Sequence, residues 1–457
     1  MSSGGSLHIV VLPWLGFSHL NPLLELSKRI ARLGHRVSFL STATLIQSMA
    51  SSPSDIPPLF LFVPVDSPDF DPADRNLKAF QEFLSRFLDT ASPPPDWILF
   101  DAFTYWAPRV AARHGVPSAY VNLVGAAASA FICPFFAAAA NGMASRVTLD
   151  ELTAPPDWVP FPTSMTYRRF EARQVLRDVF EPQATGAAED NQAGASVRDC
   201  DVVAMRSCPE LEGEWLELLQ RLYGKPALPV GHFPRSPTAE DNSNAAGSDS
   251  IFEWLDNKEA GSLVFVAFGS HVRFMSTEQA HEIAHGLELS KLPFLWALDP
   301  SGPEGQLPKG FEDRTRDRGL VFKGWAPQVR ILGHPSVGGF MTHCGWSSLV
   351  EALQYGLVLV LLPLFDDQGL NARLMVDKKL GMEVPRNDED GSFAREDVAG
   401  TLRLVMVDKE GEECRVRAKE MGGVLGNEEV EDRHLKNFVE YLKDNGRRAS
   451  KAPLAEA

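Results

Sequence analysis

Short, nearly continuous apolar runs separated by helical stretches recur along the whole chain. The first run, Leu7–Leu15, is followed by aliphatic residues at helical spacing up to Leu33 and then by a second run, His35–Thr42. Runs without alternating polar positions are typical of parallel strands that are buried on both faces. The pattern therefore predicts a β-α-β unit and a parallel sheet.

The same pattern continues in two series of predicted strands. They lie at Leu59–Val65, Trp97–Phe103, Ala119–Val124 and Val202–Met205, and then at Leu263–Phe268, Phe294–Leu298, Leu320–Phe322, Gly338–Thr342 and Leu357–Leu364. After Phe233 the composition changes to Pro, Ser, Asn, Gly and acidic residues, which is typical of a linker. Two wound α/β halves joined by a linker predict a ligand cleft between the carboxyl ends of facing sheets.

The chain is long enough, at 457 residues, for two such domains. We place the N-terminal domain at residues 1–232, the linker at 233–250 and the C-terminal domain at 251–430. A helix at about 430–446 could pack back on the N-terminal domain, and residues 447–457 are expected to form a flexible tail.

Charge and cysteine content narrow the functional classes. The formal net charge of −16 argues against a nucleic-acid partner, which would need a broad cationic face. Five cysteines without a CxxC pair are poor material for a disulfide framework or a zinc site, and they favour a reducing compartment. The N-terminus lacks the basic region of a secretory signal, so we expect a cytoplasmic protein.

One stretch, residues 114–145, contains no Lys, Arg, Asp or Glu and is long enough to span a bilayer. It also contains two prolines, two asparagines and many alanines, which reduce the gain in free energy on transfer to lipid. We therefore predict a buried strand followed by an apolar helix, and no stable membrane insertion.

Two polar residues stand near the ends of predicted strands. His19 lies in the loop after the first strand, before a helix predicted to begin at Asn21-Pro22, and Asp101 ends a later apolar strand. Ligands of α/β proteins bind at the carboxyl ends of strands. If the two residues share a crevice, the carboxylate can orient the imidazole as a base for a hydroxyl proton. The simpler alternatives are a structural histidine and a carboxylate that caps a helix.

The most distinctive region is residues 325–368, WAPQVRILGHPSVGGFMTHCGWSSLVEALQYGLVLVLLPLFDDQ. Its strand Gly338–Thr342 runs into His343-Cys344-Gly345-Trp346-Ser347-Ser348, before a helix predicted to begin near Leu349. Backbone amides at a helix start, together with two serine hydroxyls, form an anion cradle that can hold a diphosphate without a basic patch. Capping of the helix by the serines is compatible with this interpretation. A GxGxxG fingerprint is missing after the first strand, which disfavours a nicotinamide oxidoreductase.

This 44-residue block resembles the signature box of the plant family-1 UDP-sugar-dependent glycosyltransferases, through its WAPQ, HCGW, SxxE and DQ elements. Similar segments, PWLGFSHLNP at 13–22, DWILFDAF at 96–103 and AFGS at 267–270, extend the resemblance over the whole chain. The resemblance implies the GT-B fold, an α/β pair of facing Rossmann-like domains with an interdomain cleft. In that fold the acceptor binds mainly N-terminally and the sugar nucleotide C-terminally.

The resemblance also implies roles for individual residues. His19 matches the catalytic base and Asp101 its charge partner. Trp325 would stack on uracil, Glu351 would bind the ribose, and Asp367 with Gln368 would contact the sugar. The full UDP-sugar-binding set is Ser270, Trp325, Ala326, Gln328, His343, Gly345, Trp346, Ser347, Ser348, Glu351, Asp367 and Gln368. Candidate acceptor-binding residues are Phe17, Phe103, Phe131 and Phe135, with a plain core helix as the alternative for the last two.

The box departs from the family pattern at a few positions. Ser347 stands where asparagine is usual, Leu362 stands where tryptophan is common, and Asp366 adds a carboxylate beside Asp367. Because the last two adjoin the sugar-contacting pair, they bear on the choice of donor sugar and leave the UDP assignment intact.

A metal site is considered at Asp388-Glu389-Asp390, which fits a DxD pattern. The triplet precedes a glycine and follows a proline by three residues, so a polar turn is the better interpretation. The helix start at His343–Ser348 already supplies positive potential for a diphosphate. We predict neither a metal nor a cofactor.

Together these observations predict an inverting UDP-glycosyltransferase, a monomeric hexosyltransferase that moves glucose from UDP-glucose to a hydroxyl of a small natural product. The likeness to the branch that extends sugar chains on saponins, diterpene glycosides and flavonoid glycosides favours a glycoside acceptor and a 1→2 linkage. UDP-rhamnose as the donor and a free aglycone as the acceptor stay open. A non-catalytic UDP-sugar-binding protein is the alternative from another class.

Overall fold

A computed structural model describes residues 5–49, 55–65, 77–132, 148–180, 192–234, 248–269, 275–299, 302 and 307–446. The chain divides into two compact units. The first comprises Met1–Ser145, Ala188–Phe233 and Glu429–Ala457, and the second comprises Arg146–Ala187 and Pro234–Glu428. Each unit is built on one parallel sheet with helical connections, which confirms the predicted α/β class and its two Rossmann-like domains.

The first unit contains a sheet of seven strands in the order β3-β2-β1-β4-β5-β6-β7. Every pairing between neighbouring strands is parallel. The strands are β1 His8–Leu12, β2 Arg36–Ser41, β3 Phe60–Pro64, β4 Trp97–Phe100, β5 Ser118–Asn122, β6 Val202–Met205 and β7 Ala227–Pro229. The order reverses between β1 and β4, so their carboxyl ends form the point of an α/β sheet where ligands bind.

The second unit contains a sheet of six strands in the order β10-β9-β8-β11-β12-β13, again all parallel. The strands are β8 Leu263–Ala267, β9 Phe294–Leu298, β10 Gly319–Lys323, β11 Val337–Thr342, β12 Val358–Leu361 and β13 Gly381–Glu383. In this sheet the order reverses between β8 and β11, and β11 leads directly into the HCGW segment.

Helices cover both sheets and connect their strands. In chain order they are α1 Phe17–Arg32, α2 Ala43–Met49, α3 Leu77–Thr90, α4 Ala107–Arg113, α5 Leu149–Leu152, α6 Arg169–Val175, α7 Gln192–Asp199, α8 Pro209–Tyr223, α9 Ser248–Asp256, α10 Thr277–Ser290, α11 Phe311–Thr315, α12 Gln328–Leu332, α13 Trp346–Leu353, α14 Gln368–Asp377, α15 Arg395–Met406, α16 Glu412–Leu425 and α17 Glu428–Asn445. A 3₁₀ turn spans Ala102–Thr104, and a π-helical turn spans Leu176–Phe180. A further helix, at residues 126–132, follows β5.

The apolar runs form strands because both of their faces are buried. All five residues of β1 and all five of β8 are buried, and each strand lies between two neighbours of its sheet. The predicted stretches are therefore strands in the structure, although most are shorter by a residue or more. Two strands, β7 and β13, escaped prediction because each is a three-residue edge strand without an apolar run of its own.

The first helix begins earlier than predicted. Residues 17–20 already belong to α1, and Pro22 lies inside the helix, so His19 sits in the first helical turn instead of in a loop. The amides of His19 and Leu20 both donate to the carbonyl oxygen of Gly16, at 2.9 Å. Pro22 is tolerated because its missing N–H affects only one bond close to the helix start. In the second unit, α13 likewise begins at Trp346 and not near Leu349.

The domain boundaries also differ from the prediction. The sequence predicts that residues 146–187 belong to the N-terminal domain, but they belong to the second unit. This inserted segment, Arg146–Ala187, joins the second unit through a buried ion pair between Glu171 and Arg373. Helix α9 begins within the predicted linker, whose residues 235–247 lie outside the described residues, as do those of the predicted tail at 447–457.

The charge-free stretch at 114–145 contains the buried strand β5 and the helix at 126–132, and its residues 133–145 lie outside the described ones. In the part of the chain that the structure describes, no helix is both long and apolar enough to cross a membrane.

The C-terminal helix α17 belongs to the first unit. Leu435, Phe438 and Leu442 are buried in the same core cluster as Ile9 of β1. The indole Nε1 of Trp97 donates to the carbonyl oxygen of Leu442 at 2.8 Å. The last helix thus closes the core around the central strands.

A buried carboxylate fixes the start of α17. One oxygen of Glu431 accepts the backbone amides of His232 and Phe233, at 2.8 and 3.0 Å, and the other lies 3.4 Å from Nδ1 of His232. Burial by itself lowers the pKa of His232, but Cys208 and Glu431 outweigh it and raise this pKa to about 10. His232 lies just before the chain leaves the first unit, and Glu431 lies just after the chain returns to it.

We expect Glu431→Gln to destabilise the protein by about 3 kcal/mol at pH 6.5, because it leaves a buried charge without its partner. The pKa of an unfolded histidine is about 6.5, so the stabilisation by charged His232 is complete below that pH and is lost as the pH rises to about 10. Thermal unfolding of both proteins at the two pH values tests this. The difference in Tm between the wild type and Glu431→Gln should be smaller at pH 10 than at pH 6.5. The control is Glu440→Gln, which removes an exposed ion pair with Lys443 and should change the Tm little. An equal difference at both pH values would contradict the prediction.

Candidate active site

His19 and Asp101 lie together at the carboxyl end of the first sheet. Strands β1 and β4 are neighbours in which Leu12 pairs with Phe100, so the residues that follow them meet at one edge. The Nδ1 atom of His19 lies 3.0 Å from Oδ2 of Asp101. The structure thus brings together two residues that stand 82 positions apart.

Backbone amides from two loops hold the Asp101 carboxylate. Its Oδ2 accepts the amide of Trp14 at 2.7 Å, and its Oδ1 accepts the amide of Phe103 at 3.0 Å. The hydroxyl of Thr104 accepts the amide of Asp101 in return, which completes a capping box around the 3₁₀ turn. These bonds compensate for burial of a side chain that is only 1% exposed. Asp101 therefore caps the 3₁₀ turn, as the simpler alternative predicts, and also contacts His19.

This arrangement suits proton abstraction from a hydroxyl. An N–H at Nδ1 of His19 that donates to Asp101 leaves the lone pair on Nε2, and the carboxylate stabilises the imidazolium that forms when Nε2 takes a proton. The imidazole is 21% exposed, so it is held by the fold and still reachable.

An aromatic ring packs against the histidine. The ring of Phe103 stands edge-on to His19, with centroids 5.1 Å apart, and lies 5.7 Å from the ring of Trp14. Phe103 is 40% exposed, whereas Phe131 is fully buried and belongs to the core, in line with its core-helix alternative. Of the other acceptor candidates, Phe135 lies outside the described residues, and for Phe17 only the backbone is described, at the start of α1.

The second unit carries the start of α13 at the end of β11. Between the two elements Cys344 adopts a positive φ of 68°, and Gly345 precedes the first helical residue, Trp346. The half-buried hydroxyls of Ser347 and Ser348 lie in the first turn, where the amides of a helix point outward and favour an anion.

His343 is enclosed by two glycines. A Cβ atom at Gly345 would lie 2.6 Å from its Nε2, and one at Gly269 would lie 3.2 Å from its Cε1. The backbone therefore approaches the imidazole more closely than a side chain would permit. Gly269 ends a described range, and the predicted site residue Ser270 lies outside it.

The nucleoside candidates lie just before α12, in α12 and in α13. The indole of Trp325 is 82% exposed, which is unusual for so large an apolar side chain, and Ala326 precedes α12. The amide Nε2 of Gln328 donates to Oε2 of Glu351 at 2.8 Å, which joins α12 to α13. An exposed ring and a buried carboxylate can provide the contacts that a base and its ribose need.

The sugar candidates lie at the start of α14. The side-chain oxygen of Gln368 accepts the amides of Leu364 and Phe365, at 2.9 and 3.2 Å, so its NH₂ group is the part suited to a ligand. Burial and, after it, the neighbouring carboxylate of Asp366 raise the pKa of Asp367. Asp366 itself adopts a positive φ of 60°.

One residue that the sequence did not single out links the sugar candidates to the segment between β11 and α13. The amide Nδ2 of Asn371 donates to Oδ2 of Asp367 at 3.0 Å and to the carbonyl oxygen of Cys344 at 3.1 Å. Asn371 lies one helical turn beyond Asp367, and this spacing could have indicated the contact from the sequence. The sequence also did not single out Trp14 and Thr104, which hold Asp101. Trp14 acts through its backbone amide and Thr104 binds the backbone amide of Asp101, and such contacts leave no signal in the sequence.

The acidic triplet considered for a metal has other partners. Glu389 forms ion pairs with Arg169 and Arg173 of α6, at 3.1 and 2.5 Å, and Asp388 accepts the amide of Arg169 at 3.3 Å. Across the described ranges, no group of three or more His, Cys, Asp or Glu side chains is arranged to hold a metal ion. The triplet therefore anchors the inserted segment.

The chain is similar in sequence and in fold to known proteins. Residues 242–417 match the family described as UDP-glucoronosyl and UDP-glucosyl transferase. UDP-glycosyltransferase 91D2 of Stevia rebaudiana is 41% identical over 96% of both chains, and soyasaponin III rhamnosyltransferase of Glycine max is 36% identical over 97% of this chain and 96% of the relative. A solved structure of Phytolacca americana UGT2 complexed with UDP-2fluoro-glucose and pterostilbene has a TM-score of 0.74 at 26% identity, over 96% of this chain and 100% of that one.

The two parallel-sheet domains therefore define a glycosyltransferase of the GT-B fold. The chain belongs to the plant family-1 UDP-dependent glycosyltransferases, and it is an enzyme of that class.

Proposed function

We propose that this protein is an inverting glucosyltransferase that transfers glucose from UDP-glucose to a sugar hydroxyl of a small glycoside. The observation that carries the proposal is the contact of 3.0 Å between His19 and Asp101 at the carboxyl end of the first sheet. A binding protein would need no such pair, whereas transfer to a hydroxyl needs a base.

The reaction we propose is a single displacement. Nε2 of His19 takes the proton of the acceptor hydroxyl, whose oxygen attacks the anomeric carbon from the face opposite UDP. The bond from that carbon to the diphosphate breaks, and its electron pair leaves with UDP. An α-linked donor thus gives a β-glycoside. No enzyme nucleophile is needed, in contrast to retaining glycoside hydrolysis with its close carboxylate pair.

The negative charge that develops on UDP is stabilised by the second unit. The first turn of α13 presents backbone amides and the hydroxyls of Ser347 and Ser348, and His343 stands beside it. These groups supply positive potential at the leaving group, so the proposed mechanism includes neither a metal nor a cofactor. This is also how a protein with a net charge of −16 can bind a diphosphate.

Glucose is our preferred donor sugar. The NH₂ group of Gln368 and the carboxylate of Asp367 provide a donor and an acceptor for sugar hydroxyls. Support comes from the solved relative, which holds UDP-2fluoro-glucose, while the 36% identical relative named as a rhamnosyltransferase favours UDP-rhamnose as the second candidate. Asp366, beside the pair, is the residue on which this choice could depend.

The acceptor we propose is a glycoside with a bulky apolar aglycone. The exposed ring of Phe103, next to His19 and Trp14, offers an apolar surface beside the base. The relative named as a soyasaponin III rhamnosyltransferase supports the preference for a glycoside acceptor. The 1→2 linkage rests on the resemblance to the branch that extends sugar chains. We further propose a monomer in a reducing, cytoplasmic environment, which suits the free, buried cysteines 200, 208, 344 and 414.

A panel of two donors and two acceptors tests the proposal. Each of UDP-glucose and UDP-rhamnose is supplied with a saponin aglycone and with its monoglucoside, and UDP release and product mass are measured. We expect the highest kcat/KM for UDP-glucose with the monoglucoside, and NMR should show a β-1→2 linkage. Faster transfer to the free aglycone, or a preference for UDP-rhamnose, would contradict the corresponding part of the proposal.

A further inference from the structure

The inserted segment reaches the helix that carries the sugar-contacting residues. It leaves the first unit after β5 and rejoins it before β6, yet its helix α6 packs within the second unit. There the side chain of Glu171, from α6, lies against the first turn of α14. That turn begins with Gln368, directly after Asp367.

The contact is a buried ion pair with a defined geometry. Nη2 of Arg373 donates to Oε2 of Glu171 at 2.6 Å, and Nη1 of the same guanidinium donates to the carbonyl oxygen of Gly369 at 2.5 Å. The side chains of Glu171 and Arg373 are only 7% and 9% exposed. One guanidinium thus ties the carboxylate of α6 to the backbone immediately after Gln368.

Gly369 makes this approach possible. A Cβ atom at this position would lie 2.6 Å from Oε1 and 2.7 Å from Oε2 of Glu171, closer than van der Waals contact allows. The carboxylate therefore occupies the space that a side chain would fill. It also lies beside the N-terminal turn of α14, where the helix dipole favours a negative charge.

The other end of the sugar loop, which comprises residues 363–369, is held by a side chain that packs on the same segment. Arg386 donates to the carbonyl oxygens of Pro363 and Gly391, and its guanidinium lies 4.4 Å from the ring centroid of Phe170 in α6. Arg168 contacts Glu383 at 3.1 Å, and Glu383 lies 3.6 Å from Arg373. Arg386 thus fixes residue 363 and Arg373 fixes residue 369, and both arginines contact α6.

We propose that Glu171 and Arg373 are positioning residues that hold Asp367 and Gln368 in the arrangement required by the sugar of the donor. This inference rests on the proposed function, in which that pair contacts the sugar. Neither positioning residue touches the ligand in the proposal. Both act through the backbone of the loop at 363–369.

The proposal predicts different effects on the binding of the sugar and of the nucleotide. Glu351, Trp325 and the start of α13 lie on other elements, and Asn371 joins the segment before α13 to the loop at 363–369. A disturbed loop should therefore weaken the binding of UDP much less than the binding of UDP-glucose. Loss of one or two well-placed hydrogen bonds to a charged or amide group weakens binding by about tenfold or more. A residue with a structural role alone would lower the affinities for UDP and for UDP-glucose together, or neither.

The test is calorimetric titration of the full chain with UDP and with UDP-glucose. Glu171→Gln keeps the shape of the side chain but removes its charge, and we expect the ratio of the Kd for UDP-glucose to that for UDP to rise about tenfold. Arg373→Lys should give the same result, because one ammonium group lacks the fork that reaches two acceptors. Glu282→Gln is the matched control, since Glu282 pairs with Arg395 elsewhere in the same unit and the ratio should not change.

Folding and donor identity are controlled separately. If Glu171→Gln does not fold, Gly369→Ala replaces it, since a methyl group there displaces the carboxylate while both charges remain. The titrations are repeated with UDP-rhamnose, so that a wrong donor assignment shows as a wild-type preference for rhamnose. An unchanged ratio with both donors in the folded variants would overturn the positioning role.

Discussion

We expect His19→Ala to lower kcat by roughly 10²-fold or more, while the affinity for UDP stays within about twofold of wild type. The imidazole is the group that takes the acceptor proton in the proposed mechanism, and its contact with Asp101 at 3.0 Å prepares it for that role. UDP binding is assigned to the second unit, to which His19 does not belong. Steady-state rates and titration with UDP measure the two quantities separately.

Two further variants define the specificity of this effect. Asp101→Ala should reduce kcat less than His19→Ala, because the acid orients the imidazole and does not accept the proton itself. His114→Ala is the matched control, since His114 also lies 3.0 Å from an aspartate, Asp89, in the same unit. We expect near-normal kcat from it. A folded His19→Ala protein with near-normal kcat would refute the assignment of the base.

The second large effect is expected from Glu351→Ala, which should weaken UDP binding by roughly 10²-fold. Glu351 is buried, and Gln328 orients its carboxylate through a bond of 2.8 Å. Two hydrogen bonds from ribose hydroxyls to a carboxylate together account for a loss of this size. Titration with UDP and the KM for UDP-glucose measure the change, which should exceed any change in kcat.

The control for this variant is Glu288→Ala. Glu288 forms an exposed ion pair with Arg314 in the same unit, at 2.7 Å, and its removal should leave UDP binding unaltered. Glu351→Gln should retain part of the affinity, because an amide oxygen still accepts one hydroxyl. The assignment of the ribose site fails if Glu351→Ala folds and binds UDP as wild type does.

Both predictions start from residues that the sequence already indicated. Apolar runs buried on both faces determine parallel strands, and parallel strands place their following residues at one edge of a sheet. His19, Asp101 and the HCGW segment all follow such runs, so their position at strand ends was predictable from periodicity alone. The contact between His19 and Asp101 was not predictable, because their separation of 82 residues carries no distance information.

Local signals were least reliable where the tertiary structure offers alternatives. Asn21-Pro22 predicts a helix start, yet α1 begins at Phe17, because the helix can lose one hydrogen bond near its start at small cost. The strands β7 and β13 lack an apolar run and exist because a sheet edge offers them a partner. For the two strands, the deciding interaction is made with residues distant in the sequence.

The sequence by itself determined the two α/β series, the family and most of the candidate site, because periodicity and short motifs are local properties. Only the tertiary structure decided that the inserted segment joins the second unit and that α17 closes the core of the first. It also decided which atoms of Gln368 are occupied by its own loop. Ion pairs such as that of Glu171 with Arg373 join charges 202 positions apart, and burial selects the partner from many possible ones.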